Sequence, residues 1–180
     1  AQADKGQQAG ALVDVDDGGR QDMVLVLSDG TVRKLEYFRW GLIPHWAKDE
    51  SIGNKMINAR SETIDEKPSF RNAFKNRRCL IIADGFYEWK KEKKDKKTPI
   101  YIRLKSKKAF AFAGLWEKWT SPDGEVIHSC TIITCEPNVL MAEFHHRMPV
   151  ILPEDAYDEW LDVTKYDPES LKALLKPYPA

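Results

Sequence analysis

The chain has 180 residues, of which 42% are hydrophobic, which suits one domain with a real core and leaves little room for a second. It shows no apolar span of membrane-crossing length and no signal-like start, so we expect a soluble, cytoplasmic protein rather than a membrane or exported one. The net charge is zero, with 28 basic and 28 acidic residues. A neutral total excludes a uniformly basic protein, but it does not exclude a local basic patch.

Three cysteines, Cys79, Cys130 and Cys135, lie in apolar runs of strand character. An odd number without regular spacing argues against a disulfide framework and fits a reducing compartment. Cys130 and Cys135 are separated by an odd step in an expected strand, so their sulfurs should point to opposite faces. We therefore predict core thiols, no metal site and no cofactor.

The first part of the chain, residues 1–22, is small and polar, and we predict a loose lead-in before a domain at 23–180. Residues 23–27 and 31–39 are strand-like and are joined by Ser28-Asp29-Gly30, a hairpin signal. Residues 40–46 then form an aromatic loop with a tryptophan at each end. An exposed tryptophan can stack on unpaired bases, whereas a buried one is core; for Trp40 and Trp46 we expect one of each.

Asn58 and Arg60 lie two residues apart in an extended stretch and should share a face. The amide of Asn58 both donates and accepts hydrogen bonds, and the guanidinium of Arg60 fits a phosphate. The pair is a plausible clamp on a nucleotide, and the alternative is a pair of ordinary turn-stabilising polar residues. A short helix is expected over 68–76.

The central stretch, residues 79–90, consists of an apolar run, the turn dipeptide Asp84-Gly85 and a run of aromatics, which favours two strands around a turn. In the second strand, Phe86 and Glu88 should share one face and Tyr87 and Trp89 the other. A carboxylate buried among aromatics must be paired, hydrogen-bonded or held protonated, and the last state is how general acids are made. The alternative is a Glu88 that points to solvent at a sheet edge.

Positive charge is concentrated in the middle of the chain. Residues 71–108 contain 14 lysines and arginines against four acids, whereas residues 136–180 contain four against nine. Such a block is typical of proteins that bind nucleic acid or another polyanion. The lysine-rich run 90–97 has a simpler explanation as a solvated loop between two strands.

The second half predicts strands at 99–103, 109–116 and 126–134, with a turn at 121–124. A helix is expected over 137–144, and it leads to His145. A histidine there is commonly a core or capping residue, but an imidazole paired with a carboxylic acid is also what proton-transfer chemistry requires. Two helices, 153–161 and 169–176, end the chain, the second capped by Asp167-Pro168.

Six motifs, taken in order, resemble the SRAP family, the SOS response-associated peptidases. They run Trp40-Gly41-Leu42-Ile43-Pro44, Asn58-Ala59-Arg60, Ala83-Asp84-Gly85-Phe86-Tyr87-Glu88-Trp89, Ala113-Gly114-Leu115-Trp116, Thr131-Ile132-Ile133-Thr134 and His145-His146-Arg147-Met148-Pro149. The resemblance implies a single α+β domain of mixed, mostly antiparallel sheets, curled into a barrel-like core with flanking short helices. It also implies a monomer that recognises abasic sites in single-stranded DNA, is associated with the nucleoid during DNA damage, and forms a covalent crosslink that shields the lesion.

The resemblance also implies roles for individual residues. Glu88 matches the acid that helps to open the sugar ring, His145 the imidazole beside the reacting sugar, and Asn58 the residue that positions an amino-terminal cysteine. Arg60 matches a residue that contacts a DNA phosphate. Three further residues match positions of the DNA-binding cleft: Trp46, Trp89 and Thr134.

The sequence departs from the family pattern at its two ends. Family members begin Met-Cys-Gly-Arg, and the cysteine, once exposed by removal of the methionine, traps the sugar aldehyde as a thiazolidine. This sequence begins Ala1-Gln2 and lacks the family's closing strand after Ala180. We expect the reactive cysteine to lie outside the sequence. The alternatives are a non-catalytic module that coats single strands and a peptidase, acting on itself or on other substrates.

Overall fold

The structure, a computed structural model, describes residues 13–15, 21–91 and 97–180. Within those ranges the chain forms eleven strands and three α-helices. The strands are β1 (Val13–Val15), β2 (Gln21–Ser28), β3 (Arg33–Trp40), β4 (Asn58–Arg60), β5 (Arg78–Ala83), β6 (Phe86–Lys91), β7 (Lys97–Ile102), β8 (Phe110–Thr120), β9 (Val126–Cys135), β10 (Met148–Pro149) and β11 (Ile151–Leu152). The helices are α1 (Arg71–Asn76), α2 (Tyr157–Leu161) and α3 (Pro168–Leu174).

Five strands close into a barrel in the order β9, β3, β2, β5 and β8, and β8 pairs with β9 to complete the ring. Four of these five pairings are antiparallel, and β3 runs parallel to β9. Closing the sheet leaves no unpaired edge in the ring. The predicted fold class is therefore confirmed: a mixed, mostly antiparallel sheet curled into a barrel, with short helices beside it.

The core has two sides, which the alternation along β5 separates. Cys79 lies inside the barrel, near enough to Cys130 on β9 for the two thiols to interact electrostatically. Arg78 and Leu80 lie on the opposite face of β5, which α1 and α2 cover. Trp160 of α2 is completely buried there, and its indole Nε1 donates to the carbonyl of Cys79 at 2.9 Å. Both faces of β5 are therefore core, which explains its unbroken apolar run.

The three cysteines are buried free thiols, as predicted. Burial raises the pKa of Cys79 and of Cys130 well above the ordinary value for a thiol, and it raises the pKa of Cys135 to about 12. Thiols with such pKa values stay protonated at neutral pH and are poor nucleophiles. Among the described residues there is no cluster of three or more His, Cys, Asp or Glu side chains that could hold a metal ion.

Two local predictions are confirmed by the hydrogen bonds that the structure contains. The turn between β2 and β3 is closed by Asp29, whose Oδ1 accepts from the backbone nitrogens of Thr31 at 2.9 Å and Val32 at 2.8 Å. Asp167 caps α3, where its Oδ1 accepts from the backbone nitrogen of Glu169 at 3.1 Å. Both carboxylates satisfy backbone donors that would otherwise face water.

The central stretch forms the two predicted strands around the turn at Asp84-Gly85, but these strands do not pair with each other. β5 pairs with β2 and β8, whereas β6 pairs with β7. Because both edges of β5 are taken inside the barrel, the chain leaves the sheet at Asp84-Gly85 and begins a separate two-stranded ribbon. This ribbon, β6 and β7, is called the β6–β7 hairpin below.

The predicted helix over 137–144 is wrong, because only a 3-10 turn at Met141–Glu143 forms. The side chain of Asn138 holds this turn in place. Its Oδ1 accepts from the backbone nitrogen of Met141 at 2.8 Å, and its Nδ2 donates to the carbonyl of Tyr178 at 2.7 Å. The turn is therefore tied to the segment that follows α3.

Parts of two predicted segments lie outside the described residues. They are residues 1–12 and 16–20 of the lead-in and residues 92–96 of the lysine-rich run. Within the lead-in, β1 pairs with β2, and the boundary at residue 22 stays a prediction. No helix in the described ranges combines the length and apolar character needed to cross a bilayer.

Candidate functional site

Two of the predicted site residues are placed by β4, which lies beside the end of β9. Asn58 pairs with Ile132 and Arg60 with Thr134, in parallel register. The backbone between them is buried at Ala59, while Asn58 is half-buried and Arg60 is exposed. The two polar side chains therefore share one face at the rim of the sheet, as the two-residue spacing predicts.

Thr134 stands at the centre of this rim. β4 pairs with one edge of β9 at this point and β10 with the other, where Pro149 lies opposite Thr134. Thr134 is 3% exposed, and its carbonyl and hydroxyl oxygens both accept from Nη2 of Arg147, at 2.7 and 3.2 Å. Thr134 is thus held by backbone pairing on two sides and by a guanidinium.

Arg147 is a residue to which the sequence assigned no role. Its Nη1 and Nη2 donate to the two carboxylate oxygens of Glu62, at 2.6 and 3.0 Å, in a bidentate pair. The hydrogen bond from Arg147 lowers the pKa of Glu62, and the positive charge of Arg60 acts in the same direction. Arg147 is part of the sequence motif that contains His145, so the motif pointed to this region. Nothing in the local sequence indicates that Arg147 pairs with Glu62.

His145 joins the same group through the backbone of Arg147. Its Nδ1 lies 3.0 Å from the backbone nitrogen and 3.1 Å from the carbonyl oxygen of Arg147, so the tautomer decides whether this atom accepts or donates. Its ring stacks on His146, with centroids 4.4 Å apart and planes inclined by 29°. The imidazole is thus fixed in orientation and half-buried, at the segment that leads into β10.

Glu88 lies on the β6–β7 hairpin and is 1% exposed, which contradicts the solvent-facing alternative. It shares the inner face with Phe86, as predicted, and Phe86 packs edge-on against Phe112 of β8 at 5.9 Å between centroids. Phe112 pairs in turn with Ile151, two residues after the Pro149 that faces Thr134. The hairpin therefore packs against the end of the barrel that carries the Thr134 rim.

The two tryptophans predicted to contact DNA come from separate segments. Trp46 is half exposed, and its Nε1 lies 3.4 Å from the carbonyl of Pro68. Trp89 is half-buried on the outer face of the β6–β7 hairpin, opposite Pro99. Trp40, by contrast, packs against the core and donates to the carbonyl of Ile57 at 2.9 Å, so the expectation of one core and one exposed tryptophan in the loop is confirmed.

The 40–46 loop is tied to the barrel at several points. The backbone nitrogen of Ile43 donates to the Ser129 hydroxyl at 2.8 Å, and the indole of Trp119 donates to the carbonyl of Ala47 at 2.8 Å. Glu117, buried in β8, accepts from Nη2 of Arg77 at 3.0 Å and lies 3.5 Å from Nδ1 of His45. The exposed indole of Trp46 is therefore carried by a well-anchored loop.

Asn58, Arg60, Thr134 and His145 therefore meet at one rim, while Glu88 and Trp89 come from the hairpin and Trp46 from the loop. A cavity of about 430 Å³ lies elsewhere, between Phe86, Phe110, Met141 and Tyr178, and none of the seven predicted site residues lines it. The rim offers an exposed guanidinium at Arg60 beside the half-buried polar side chains of Asn58 and His145, which suits a ligand that carries phosphate groups.

The fold is thus a small barrel whose rim carries an exposed arginine and an oriented imidazole, with a buried carboxylate on the adjacent hairpin. The SOS response associated peptidase (SRAP) family model matches residues 7–180, and the chain belongs to that family. It is 53% identical over 160 residues to the Abasic site processing protein YoqW of Bacillus subtilis (strain 168), a match that spans 89% of this chain and 71% of that protein.

Less similar proteins also match this chain. The chain is 35% identical over 173 residues to the Abasic site processing protein HMCES of Xenopus tropicalis, covering 83% of this chain and 51% of that protein. Among solved structures, a protein from Bacteroides thetaiotaomicron matches with a TM-score of 0.80 and 33% identity, over 87% of this chain and 69% of that one.

Proposed function

We propose that this protein is an abasic-site sensor that binds single-stranded DNA and becomes covalently joined to the lesion. The observation that carries the proposal is the convergence of Asn58, Arg60, Thr134 and His145 at one rim of the barrel, the end against which the hairpin of Glu88 packs. The names of the relatives, abasic site processing proteins, support the same substrate.

The proposed nucleophile is an amino-terminal cysteine outside residues 1–180. Its amine attacks the aldehyde carbon of the ring-opened deoxyribose and expels one water, which forms a Schiff base. Its thiol then adds to the imine carbon, and the imine nitrogen takes up the thiol proton, which closes a thiazolidine. The cysteines within the sequence do not fit this role, because burial raises the pKa of each of them and keeps them protonated.

The side chains at the rim have distinct parts in this scheme. Glu88 gives a proton to the ring oxygen of the sugar as the ring opens, and its burial is the kind of environment in which a carboxylic acid serves as a proton donor. His145 exchanges protons with the hydroxyl group that leaves as water. Asn58 positions the amino-terminal residue through its amide.

The single-stranded DNA is held by a contact between opposite charges and by stacking of its bases. Arg60 is exposed at the rim and contacts a phosphate. Trp46 and Trp89 stack on bases beside the lesion, and Thr134 belongs to the same DNA-binding cleft. Removal of the initiator methionine from the full-length protein, which would expose the cysteine, is the proposed peptidase activity.

The deciding experiment is an intact-mass measurement on the full-length protein under denaturing conditions. It is made before and after incubation with single-stranded DNA that carries one abasic site. A mass increase equal to the oligonucleotide, absent with the same strand lacking the lesion, is the expected result. Salt-sensitive binding that ignores the lesion and leaves no denaturant-resistant complex would contradict the proposal and indicate a non-catalytic coat.

The same measurement tests the assigned roles. If Glu88→Gln and His145→Ala crosslinked as fast as the unaltered protein, and reversed as fast, those roles would be wrong. The mass of the purified protein also reports self-processing as the loss of one methionine. Cleavage of unrelated peptides, with no crosslink, would indicate a general peptidase.

A further inference from the structure

The outer face of the β6–β7 hairpin carries two tyrosines, Tyr87 and Tyr101, to which no role has been given so far. The strand register places Tyr87 opposite Tyr101, and alternation puts both on the same face as Trp89 and away from Glu88. Tyr87 is 42% exposed and Tyr101 is 39% exposed. We call Tyr87, Trp89 and Tyr101 the outer strip.

The tyrosines of the outer strip are held in place. Their ring centroids lie 5.0 Å apart with the planes inclined by 46°, and the hydroxyl of Tyr101 donates to Oδ1 of Asp84 at 3.0 Å. The backbone of Gly85 lies directly against the Tyr101 ring, because a Cβ added at Gly85 would be 2.4 Å from Cζ of Tyr101. Rings that are already ordered lose little conformational entropy when a ligand stacks on them.

The strip is flanked by cations. Lys97 is exposed on the same face of β7, and exposed Arg103 follows the end of that strand. Burial raises the pKa of Tyr101, and the nearby positive charge of Arg103 opposes that rise. Further exposed lysines follow at Lys105, Lys107 and Lys108, while Asp84 is engaged by the Tyr101 hydroxyl. The described surface around the strip is thus strongly basic.

We propose that the outer strip is a second binding track for single-stranded DNA, on which bases flanking the lesion stack. Tyr87 and Tyr101 supply the stacking faces, and Lys97 and Arg103 contact the phosphates. Flat, exposed rings between cations suit unpaired bases, because the bases of a duplex are already stacked on one another. The proposal rests on the proposed function in placing the lesion beside Glu88, at the other face of the hairpin, and in assigning Trp89 to the bases next to the lesion.

The test measures binding of intact single strands by fluorescence anisotropy, with no abasic site present. Two oligonucleotides are compared, one of about 16 nucleotides and one of about 4. We expect Tyr87→Ala to weaken binding of the longer strand about tenfold and of the shorter strand much less, since only the longer strand reaches both faces of the hairpin. Tyr87→Phe keeps the ring and should bind like the unaltered protein. Tyr37→Ala, which removes an exposed tyrosine from β3, is the matched control and should change nothing.

A second variant keeps the proposal testable if removing the Tyr87 ring disturbs the hairpin. Arg103→Gln should lower the slope of log affinity against log salt by about 0.7, the value for one phosphate contact on a single strand. Arg71→Gln, on the exposed side of α1, should leave that slope unchanged.

Three outcomes would contradict the proposal that the outer strip binds single-stranded DNA. They are an unchanged affinity in Tyr87→Ala, an equal loss for the long and short strands, and an equal loss for a duplex of the same sequence. Failure of the proposed function is a separate observation, because it would appear as no covalent complex with abasic DNA in the unaltered protein. Failure of the strip would leave that complex intact on a short abasic strand.

Discussion

Two consecutive strands, β5 and β6, each bury a charged residue, and they do so for different reasons. Arg78 begins β5 and is completely buried, while Glu88 lies in the middle of β6 and is 1% exposed. β5 is covered on both faces, by the barrel interior and by the helices. β6 has a single buried face, and its other face points to solvent. The comparison teaches that a buried ionisable side chain can serve the architecture in one strand, while in the next strand we propose that it serves the chemistry.

The partners of Arg78 show why it is architectural. Its guanidinium donates to backbone carbonyls of three segments: Phe74 and Lys75 of α1, Trp160 of α2, and Asp162 and Lys165 in the loop that follows, at 2.6–3.2 Å. These carbonyls lie at or near helix ends, where the backbone has no partner of its own. A single side chain thus fastens both helices to the outer face of the barrel.

The largest expected effect is therefore from Arg78→Met, which should lower the free energy of unfolding by about 4 kcal/mol, because several buried carbonyls lose their donor. Urea unfolding monitored by tryptophan fluorescence measures it. Arg71→Met, at an exposed position of α1, is the control and should cost little. A loss under about 1 kcal/mol for Arg78→Met would show that water or neighbouring groups replace the guanidinium.

For Glu88 in β6 we expect a large effect on the reaction rate and a small effect on stability. Glu88→Gln keeps the shape of the side chain but removes the transferable proton, so crosslinking to abasic DNA should slow about 100-fold. The free energy of unfolding should change by less than about 1 kcal/mol, because no charge is left unpaired. Rates come from denaturing gels over time, with Glu125→Gln, an exposed glutamate, as the control. If Glu88→Gln lowered the free energy of unfolding strongly but crosslinked at the normal rate, Glu88 would be structural, like Arg78, and not catalytic.

A smaller effect is expected from Gly41→Ala, at the junction of the barrel and the 40–46 loop. Gly41 has a φ of +117°, and an added Cβ would lie 2.6 Å from the carbonyl oxygen of Gly53. We expect a loss of about 2 kcal/mol, from backbone strain and this contact together. Gly124→Ala is the matched control, since its φ is +87° but nothing lies within 4 Å of the added atom. Equal melting-temperature shifts in the two variants would rule out the contribution of the contact.

The smallest effect is expected for the ion pair between Glu62 and Arg147, beside the Thr134 rim. The pKa of Glu62 is lowered from its ordinary 4.5, chiefly by the hydrogen bond from Arg147, so the pair stabilises the folded state above that pH. This stability is lost as the pH falls through the lower pKa of the folded state. Because Glu62 is half exposed, we expect less than about 1 kcal/mol.

Unfolding free energies of Glu62→Gln and of the unaltered protein, compared between about pH 7 and about pH 3, measure this contribution. The difference between the two proteins should shrink as the solution is acidified. Glu66→Gln, an exposed neighbour, provides the control. A difference that grows towards acid pH would have the wrong sign and would contradict the pairing.

Much of the site could be predicted from local pattern. The two-residue period correctly separated Phe86 and Glu88 from Tyr87 and Trp89, and it correctly placed Asn58 and Arg60 on one face. The motif order indicated the family to which the chain belongs. These features depend on side chains that are close in sequence, where backbone geometry alone fixes the relative direction.

Other features could not be predicted in this way. Arg78 looked like one member of a basic block, and only the packing of α1 and α2 shows that it is buried beneath them. The bidentate pair of Arg147 and Glu62 joins residues 85 positions apart. The turn at Asp84-Gly85 was predicted, but only the tertiary structure shows that β5 pairs with β8 and β6 with β7.

By itself, then, the sequence determined the five strands of the barrel, the face shared by alternating side chains, that the cysteines belong to the core, and which side chains are candidates for the chemistry. The tertiary structure alone decided which strands pair, which charges are buried, and which distant residues meet at the Thr134 rim. The physical reason is that alternation and turn chemistry are local properties of the residues. Strand pairing, by contrast, uses backbone groups that every residue shares, so its outcome depends on the packing of the whole chain.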